Sequence, residues 1–256
     1  MNQVSAPTIS RSEVVPGVYL IWLKSPQIAS LAQPGQFVMV RCGEDCLLRR
    51  PLSVHQIDGG KIALLFTIAG KGTRWLSQRQ TGDNVDIFGP LGNGYTIYPD
   101  SKNMLLVAGG IGVAPLCFLA QEALKQGCSL TLLLGATTAA QLYPQHLLPP
   151  EVKLVIATED GTAGQRGMIT DLLPDFVDRA DQVFACGPMP MYRDMATKRH
   201  QLLKGKPTQV SLEMRMGCGL GICYACTLKT KQGLKQVCQD GPVFDLDDVL
   251  WDEMKC

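Results

Sequence analysis

Residues 104–115 read Met104-Leu-Leu-Val-Ala108-Gly109-Gly110-Ile111-Gly112-Val113-Ala114-Pro115. An unbroken apolar run of this kind predicts a strand buried on both faces, and it empties into a glycine-rich turn. Pro115 falls near the first turn of a helix predicted over Pro115–Gln126, where its missing N–H costs little. The turn brings a helix N-terminus to the carboxyl end of a buried strand, where a pyrophosphate can sit. The motif is a relative of G-x-G-x-x-G, with Pro115 standing where the third glycine would be. A tight turn held only by packing glycines reads the same way locally.

The rhythm continues downstream. Leu130–Leu134, Val152–Ala157 and Gln182–Ala185 are further short apolar runs, so residues 101–205 predict an α/β unit with a parallel sheet. Val183-Phe184-Ala185-Cys186-Gly187-Pro188 is a second buried strand ending in a Gly-Pro turn. Ligands gather at the carboxyl ends of parallel strands. Gly109, Gly110, Gly112, Cys186, Gly187 and Pro188 are therefore the candidate nucleotide contacts. The second strand ends at Leu134-Gly135-Ala136-Thr137-Thr138 with no Arg for a 2′-phosphate, which favours NAD over NADP. Glu159 and Asp160, after the third strand, face either the nucleotide or a polar loop and are left unassigned.

Upstream, residues 1–100 hold short β-type runs between turn signals: Val18–Leu23, Gln36–Arg41, Leu52–Gln56, Ile62–Ile68 and Asn84–Phe88. This spacing predicts an antiparallel sandwich or barrel. Arg49-Arg50-Pro51-Leu52-Ser53 enters one of the runs. An Arg suits a phosphate, and a Ser hydroxyl suits a flavin ring edge or ribityl chain. About twenty residues on come Leu65-Phe66-Thr67-Ile68 and Gly70-Lys71-Gly72-Thr73, the latter opening a short helix at Thr73–Gln78. Alone, R-P-x-S is an Arg before an edge strand. In this order, ahead of an α/β unit, the pieces predict a flavin site.

Residues 206–256, reached through a linker at Lys204–Pro207, are rich in Gly and Cys and then acidic. Of ten cysteines, Cys42, Cys46, Cys117, Cys128, Cys186 and Cys256 are scattered, whereas Cys218, Cys223, Cys226 and Cys238 fall within 21 residues. Except for Cys186, the scattered ones read as small hydrophobes or idle thiols. The cluster has the C-x4-C-x2-C…C spacing of plant-type [2Fe–2S] ligands. Gly219 and Gly221 inside the first gap let backbone N–H groups approach sulfur. Zinc is the rival, but zinc ribbons pair two C-x2-C knuckles and this segment has one. A segment this small needs a metal centre to hold it together.

The whole chain has 256 residues, 46% hydrophobic and 18% charged, with 24 Lys+Arg against 23 Asp+Glu. This composition buries a core and excludes general disorder. Charge balance gives no sign of a nucleic-acid or membrane partner. No apolar stretch is long enough to span a bilayer, and residues 1–15 lack the apolar segment of a signal peptide, so a cytoplasmic chain is expected.

The order R-P-L-S, G-x-G-T, G-G-x-G-x-x-P, C-G-P and a C-terminal cysteine cluster resembles the ferredoxin–NADP reductase superfamily with an added [2Fe–2S] domain. Within it, the stretch Ser211-Leu-Glu213-Met-Arg-Met216-Gly-Cys218 through Cys226, continuing to Val237-Cys238-Gln-Asp-Gly241-Pro242-Val-Phe244, is similar to the electron-transfer subunits of class B (NAD-dependent) dihydroorotate dehydrogenases. The resemblance implies three domains: an FAD-binding β-barrel (1–100), an NAD-binding α/β domain (101–205) and a [2Fe–2S] domain (206–256). It implies that Arg50, Pro51, Leu52, Ser53, Leu65, Phe66, Thr67, Gly72 and Thr73 bind FAD, and that Cys218, Cys223, Cys226 and Cys238 bind iron. It also implies a partner, an FMN-containing dihydroorotate dehydrogenase catalytic subunit, in a heterotetramer of two of each subunit. Ala114 before Pro115 departs from the two prolines frequent in the family.

NAD takes a hydride, the cluster passes single electrons and a flavin does both, so FAD is expected between them. No catalytic acid or base is needed; His55, His146 and His200 are scattered and read as ordinary core or surface residues. Leu220, Ile222 and Tyr224 are expected either at a docking face or packed within the small domain. The alternatives are a related subunit with another donor, of the sulfide dehydrogenase or NADH–ferredoxin:NADP reductase type; a zinc-stabilised binding module; and a reductase whose acceptor is not NAD.

Overall fold

The structure, a computed structural model, describes residues 1–254; Cys256 lies outside the described residues. The first part comprises β1 (Asn2–Val15), β2 (Val18–Lys24), a single turn α1 (Pro26–Ala29), β3 (Phe37–Val40), β4 (Arg50–Asp58), β5 (Lys61–Thr67), α2 (Lys71–Ser77) and β6 (Asn84–Leu91). Its strands close into a barrel in the order β1-β2-β5-β4-β3-β6, each pair antiparallel. Closure depends on β1. Its first half pairs with β6, from Asn2↔Gly89 to Pro7↔Asn84, and its second half with β2, from Thr8↔Leu23 to Val15↔Val18. Sequence patterning does not announce this strand, because only Ala6 and Thr8 of its fourteen residues are buried.

The apolar run of β5 has a structural reason. Ile62, Leu64 and Phe66 point into the barrel core, while Ala63 and Leu65 join the core shared with the α/β unit. A strand covered on both faces reads as continuously apolar. Phe118 of the following helix inserts into the barrel core, so the two units share packing. Each such buried side chain contributes about 1.5–3 kcal/mol relative to exposure.

The second unit comprises β7 (Asn103–Gly109), α3 (Val113–Lys125), β8 (Ser129–Ala136), β9 (Lys153–Thr158), β10 (Gln165–Arg166), α4 (Leu173–Phe176), β11 (Gln182–Cys186) and α5 (Met189–Thr197). The remainder adds β12 (Thr208–Ser211), β13 (Thr227–Thr230), β14 (Gly233–Gln236) and β15 (Val243–Asp245). The sheet runs β10-β9-β8-β7-β11-β12-β15, parallel as far as β12, with β15 antiparallel at the edge. It therefore extends beyond residue 205: the cysteine-rich segment lends it two strands. Chain order reverses at β7, which lies between β8 and β11, and that reversal opens a crevice at the strands' carboxyl ends.

The cysteine-rich segment is seated firmly. The Asn93 side chain donates to the carbonyls of Gln239 (3.2 Å) and Asp240 (3.0 Å), and its N–H donates to Gly241 (2.6 Å). At the other end Trp251 stacks on Tyr192 of α5, centroids 5.4 Å apart. Among the described residues no helix is long and apolar enough to cross a membrane.

Candidate cofactor and cluster sites

The turn after β7 is shaped by contact with the turn after β11. A β-carbon on Gly112 would lie 2.0 Å from the Cys186 carbonyl oxygen, so no other residue fits there. Gly109 abuts Pro188 in the same way, and Gly110 adopts φ 54°, which glycine reaches without steric cost. Packing and ligand approach are thus served by different glycines of one motif. Together the two turns wall a cavity of about 710 Å³, to which Gly109, Gly110, Gly112, Gly187 and Pro188 all contribute. Cys186 does not: its side chain is fully buried in the core behind the wall, and burial pushes its thiol well above the usual range. Thr137 and Glu159 close the cavity from the ends of β8 and β9.

A second cavity of about 740 Å³ opens between barrel and sheet. Arg50, Pro51, Leu52 and Ser53 of β4 form one wall, and Leu65, Phe66 and Thr67 of β5 with Thr73 of α2 form another. Gly72 lies just behind, so close that a β-carbon there would be 2.9 Å from Arg50 Nε. The Thr73 hydroxyl accepts the Ala69 (2.8 Å) and Gly70 (3.2 Å) N–H groups and thereby fixes the turn instead of facing the cavity freely. The two consecutive arginines separate. Both line the cavity, but Arg49 is tied bidentately to Asp86 (3.0 Å and 3.0 Å), whereas Arg50 hydrogen-bonds only the Leu48 and Arg49 carbonyls and has no carboxylate partner.

The remaining wall was not assigned from sequence. It is Ser211–Met216, the chain leaving β12, together with Ile111 and Ala114 of the nucleotide turn. Thr67, Ile111 and Glu213 line both cavities, which makes the two neighbours. Glu213 is open to solvent through them but enclosed by protein otherwise, and that desolvation raises its carboxyl pKa. The signal for this wall in the sequence was its position immediately before the cysteines.

Two residues past Met216 the chain delivers Cys218. Cys218 lies within hydrogen-bonding reach of Cys223, and Cys226 within reach of Cys238. Backbone N–H groups point at the sulfurs: Leu220 to Cys218 (3.3 Å), Gly221 to Cys238 (3.1 Å) and Cys238 to Cys226 (3.4 Å). Burial opposes ionisation of Cys218, but the N–H groups of Leu220, Cys223 and Ile222 outweigh it and bring the thiol down to about 6. Cys238 is pushed up to about 12 by burial and by Cys226. A β-carbon on Gly221, at φ 77°, would strike Gln239 Oε1 at 1.9 Å, so the loop around the sulfurs is closed to side chains at that point. Among the described residues no three Cys, His, Asp or Glu side chains converge as a ready single-ion site. Two cysteine pairs approached by backbone N–H donors have the ligand chemistry of plant-type iron–sulfur sites. Cys226 and Cys238 are buried, and Cys223 is exposed between the exposed side chains of Ile222 and Tyr224.

The cysteines and histidines expected to be ordinary core or surface residues sort simply. Cys42, Cys117 and Cys128 are buried and Cys46 partly so. His146 and His200 are exposed. His55 is fully buried; its Nδ1 is 2.8 Å from the Ala114 carbonyl, to which it donates, and Nε2 accepts from the Tyr143 hydroxyl (2.9 Å). It ties β4 to the first turn of α3.

A barrel cavity, a sheet-end crevice beside it and a thiol set entered from their common wall define an oxidoreductase of the ferredoxin-reductase fold. Solved structures agree. One described as an NADH-dependent reduced ferredoxin–NADP oxidoreductase superposes with TM-score 0.87 at 33% identity, over 98% of this chain and 91% of that one. The ferredoxin reductase of carbazole 1,9a-dioxygenase (TM-score 0.68, 19% identity, 80% and 67% covered) shares the fold. A family model for the iron-sulfur cluster binding domain of dihydroorotate dehydrogenase B matches residues 213–250. The dihydroorotate dehydrogenase B (NAD(+)) electron transfer subunit of Desulforamulus reducens is 41% identical over 250 residues, 93% of this chain and 95% of the relative. That of Geobacillus thermodenitrificans is 38% identical over 251 residues, 94% and 96%. The chain belongs to the family of dihydroorotate dehydrogenase B electron transfer subunits.

Proposed function

We propose that this chain assembles with an FMN-containing, dihydroorotate-oxidising catalytic subunit, two of each, and carries electrons from that FMN to NAD⁺. Residues 1–100 with the 740 Å³ cavity would hold FAD, residues 101–205 with the 710 Å³ crevice NAD, and residues 206–256 a [2Fe–2S] cluster on Cys218, Cys223, Cys226 and Cys238. The observation that carries this reading is the double duty of one segment. Ser211–Met216 walls the larger cavity, and the chain then supplies Cys218 two residues later. Cavities of this size match cofactor sites. When bound, the cluster handles single electrons and the nicotinamide a hydride, with the flavin able to exchange with both.

The protein's own residues place and insulate these groups. Arg50 supplies a cation for the flavin's phosphates, with its turn braced by Thr73. Gly109, Gly110 and Gly112 leave the backbone of this turn open to the dinucleotide, with Ile111 the one side chain of the stretch. Exposed Cys223, Ile222 and Tyr224 mark the edge of the cluster loop that faces outward, toward the catalytic subunit in this reading.

A second reading keeps the three cofactors and changes the donor to ferredoxin, and the 33% identity to the NADH-dependent ferredoxin–NADP enzyme favours it. The test is an anaerobic visible spectrum of the protein purified with its native partner. Bleaching of flavin and iron–sulfur bands by dihydroorotate supports the proposal. Bleaching by NADH but not by dihydroorotate supports the second reading. A colourless sample that stays colourless after reconstitution overturns both.

A further inference from the structure

The parallel pairing of β11 with β12 stops one rung short. Cys186 opposite Ser211 is the last matched pair. The Val183 N–H donates to the Pro207 carbonyl (2.9 Å), and a parallel ladder repeats such a bond at every second residue. Carried on in this register, the ladder would join the Gly187 N–H to the Ser211 carbonyl. The Tyr192 hydroxyl stands between them instead. It accepts the Gly187 N–H (2.8 Å) and donates to the Ser211 carbonyl (2.5 Å).

The insertion is built into the fold. α5 starts directly after the Gly187-Pro188 turn and returns Tyr192 to the end of β11. The side chain is 1% exposed, and Trp251 stacks on its ring. Burial pushes the phenol well above its usual pKa, so the hydroxyl stays a donor. A direct bond brings N and O to about 2.9 Å, whereas two bonds through a hydroxyl oxygen hold them roughly 4–5 Å apart. The two groups so separated belong to different cavities. Gly187 lines the 710 Å³ crevice and Ser211 the 740 Å³ cavity, while Tyr192 itself lines neither.

Resting on the flavin and nucleotide readings above, we propose that Tyr192 is a positioning residue for electron exchange between the two cavities. Its hydroxyl, inserted in the last β11–β12 rung, sets the distance of the nucleotide wall from the flavin wall. It acts through Gly187 and Ser211 and binds neither cofactor. Without the hydroxyl the rung either closes directly, drawing the walls together, or leaves two buried polar groups unpaired and the walls free to shift. In both cases the spacing is lost.

The test is Tyr192→Phe in the holo-complex, which keeps the ring and its stack on Trp251. Anaerobic stopped-flow reduction of the flavin gives a limiting rate and an NADH dissociation constant. The difference spectrum that saturating NAD⁺ produces in the oxidised flavin reports the approach of the nucleotide without turnover. The limiting rate is expected to fall about ten- to hundredfold, the scale of a misplacement of about 1 Å, with NADH affinity, FAD content and iron content held within about twofold. The difference spectrum is expected to weaken with it. A limiting rate and difference spectrum equal to those of the natural protein, whatever the change in thermal stability, overturn this assignment alone. So does a rate loss matched by loss of NADH affinity or of FAD. Failure of NADH to reduce the flavin of the natural protein overturns the nucleotide reading and this proposal with it.

Discussion

Gly112 and Cys186 meet backbone to backbone: a β-carbon on the first would lie 2.0 Å from the carbonyl oxygen of the second. This contact locks the turns after β7 and β11 into one wall. Gly112→Ala must push them apart. The expected cost is about 1–3 kcal/mol, the scale of overpacking in a tight core. NADH should reduce the flavin poorly while flavin and cluster absorbance persist. Thermal unfolding and an anaerobic NADH titration on the same sample check both parts.

Arg49 and Arg50 are adjacent yet oppositely employed, and substitution should separate them. Arg50→Ala removes one of the three arginines lining the larger cavity, with Arg49 and Arg215, and the one of the adjacent pair not tied to Asp86; it should weaken FAD binding by about ten- to hundredfold, the scale of charge-assisted hydrogen bonds of ~1.5–3 kcal/mol. Arg49→Ala breaks the partly exposed pair with Asp86 and should cost about 1 kcal/mol or less of stability with FAD affinity retained. Flavin titration of apoprotein and denaturant unfolding distinguish the two. Equal flavin loss in both variants would contradict the division of labour.

Gly221 directs its N–H at Cys238 Sγ from a left-handed conformation, beside Gln239. Gly221→Ala would force that peptide away. Loss of an N–H···S bond leaves the reduced cluster less stabilised, so the midpoint potential should fall and the iron content with it. Gln239→Ala in the same background makes room for the new methyl and should recover part of the iron content. Potentiometric titration followed by EPR reads the outcome.

His55 is buried and neutral, its pKa lowered to about 4 mainly by desolvation, with the bond to Ala114 opposing. An unfolded chain protonates this residue near pH 6.5 and the folded one does not until about 4. The unfolded state therefore gains protons first as pH falls. Stability should be unaffected by His55 above pH 6.5 and decline from there to pH 4, by roughly 3 kcal/mol at the end. Denaturant unfolding at stepped pH measures the slope. His55→Gln, less stable at pH 7, should show a flatter acid limb.

Local patterns in the sequence were enough for the α/β rhythm from Met104 onward, the barrel-type character of residues 18–88 and the thiol spacing of Cys218–Cys238. Each depends on neighbours a few residues apart: burial on both faces makes a continuous apolar run, and a cluster loop needs its glycines at set intervals. Strand β1 was not legible, because it contributes backbone pairing and little apolar surface. Nor was the role of Ser211–Met216, whose residues become a cavity wall only once β12 is placed beside β11.

Tertiary structure also decided between residues that look alike in one dimension. Arg49 is tethered and Arg50 free because Asp86 of β6 reaches only the first. Asp160 turns inward on Thr162 while Glu159 faces the crevice. Cys186, in sequence a partner of Gly187 and Pro188, points into the core because successive side chains of a strand alternate between faces. Composition and spacing determine which elements form and which chemistry the chain can support. Which side chain of a pair performs it is settled by contacts between residues far apart in the sequence, since only those contacts consume or spare its charge and hydrogen-bonding capacity.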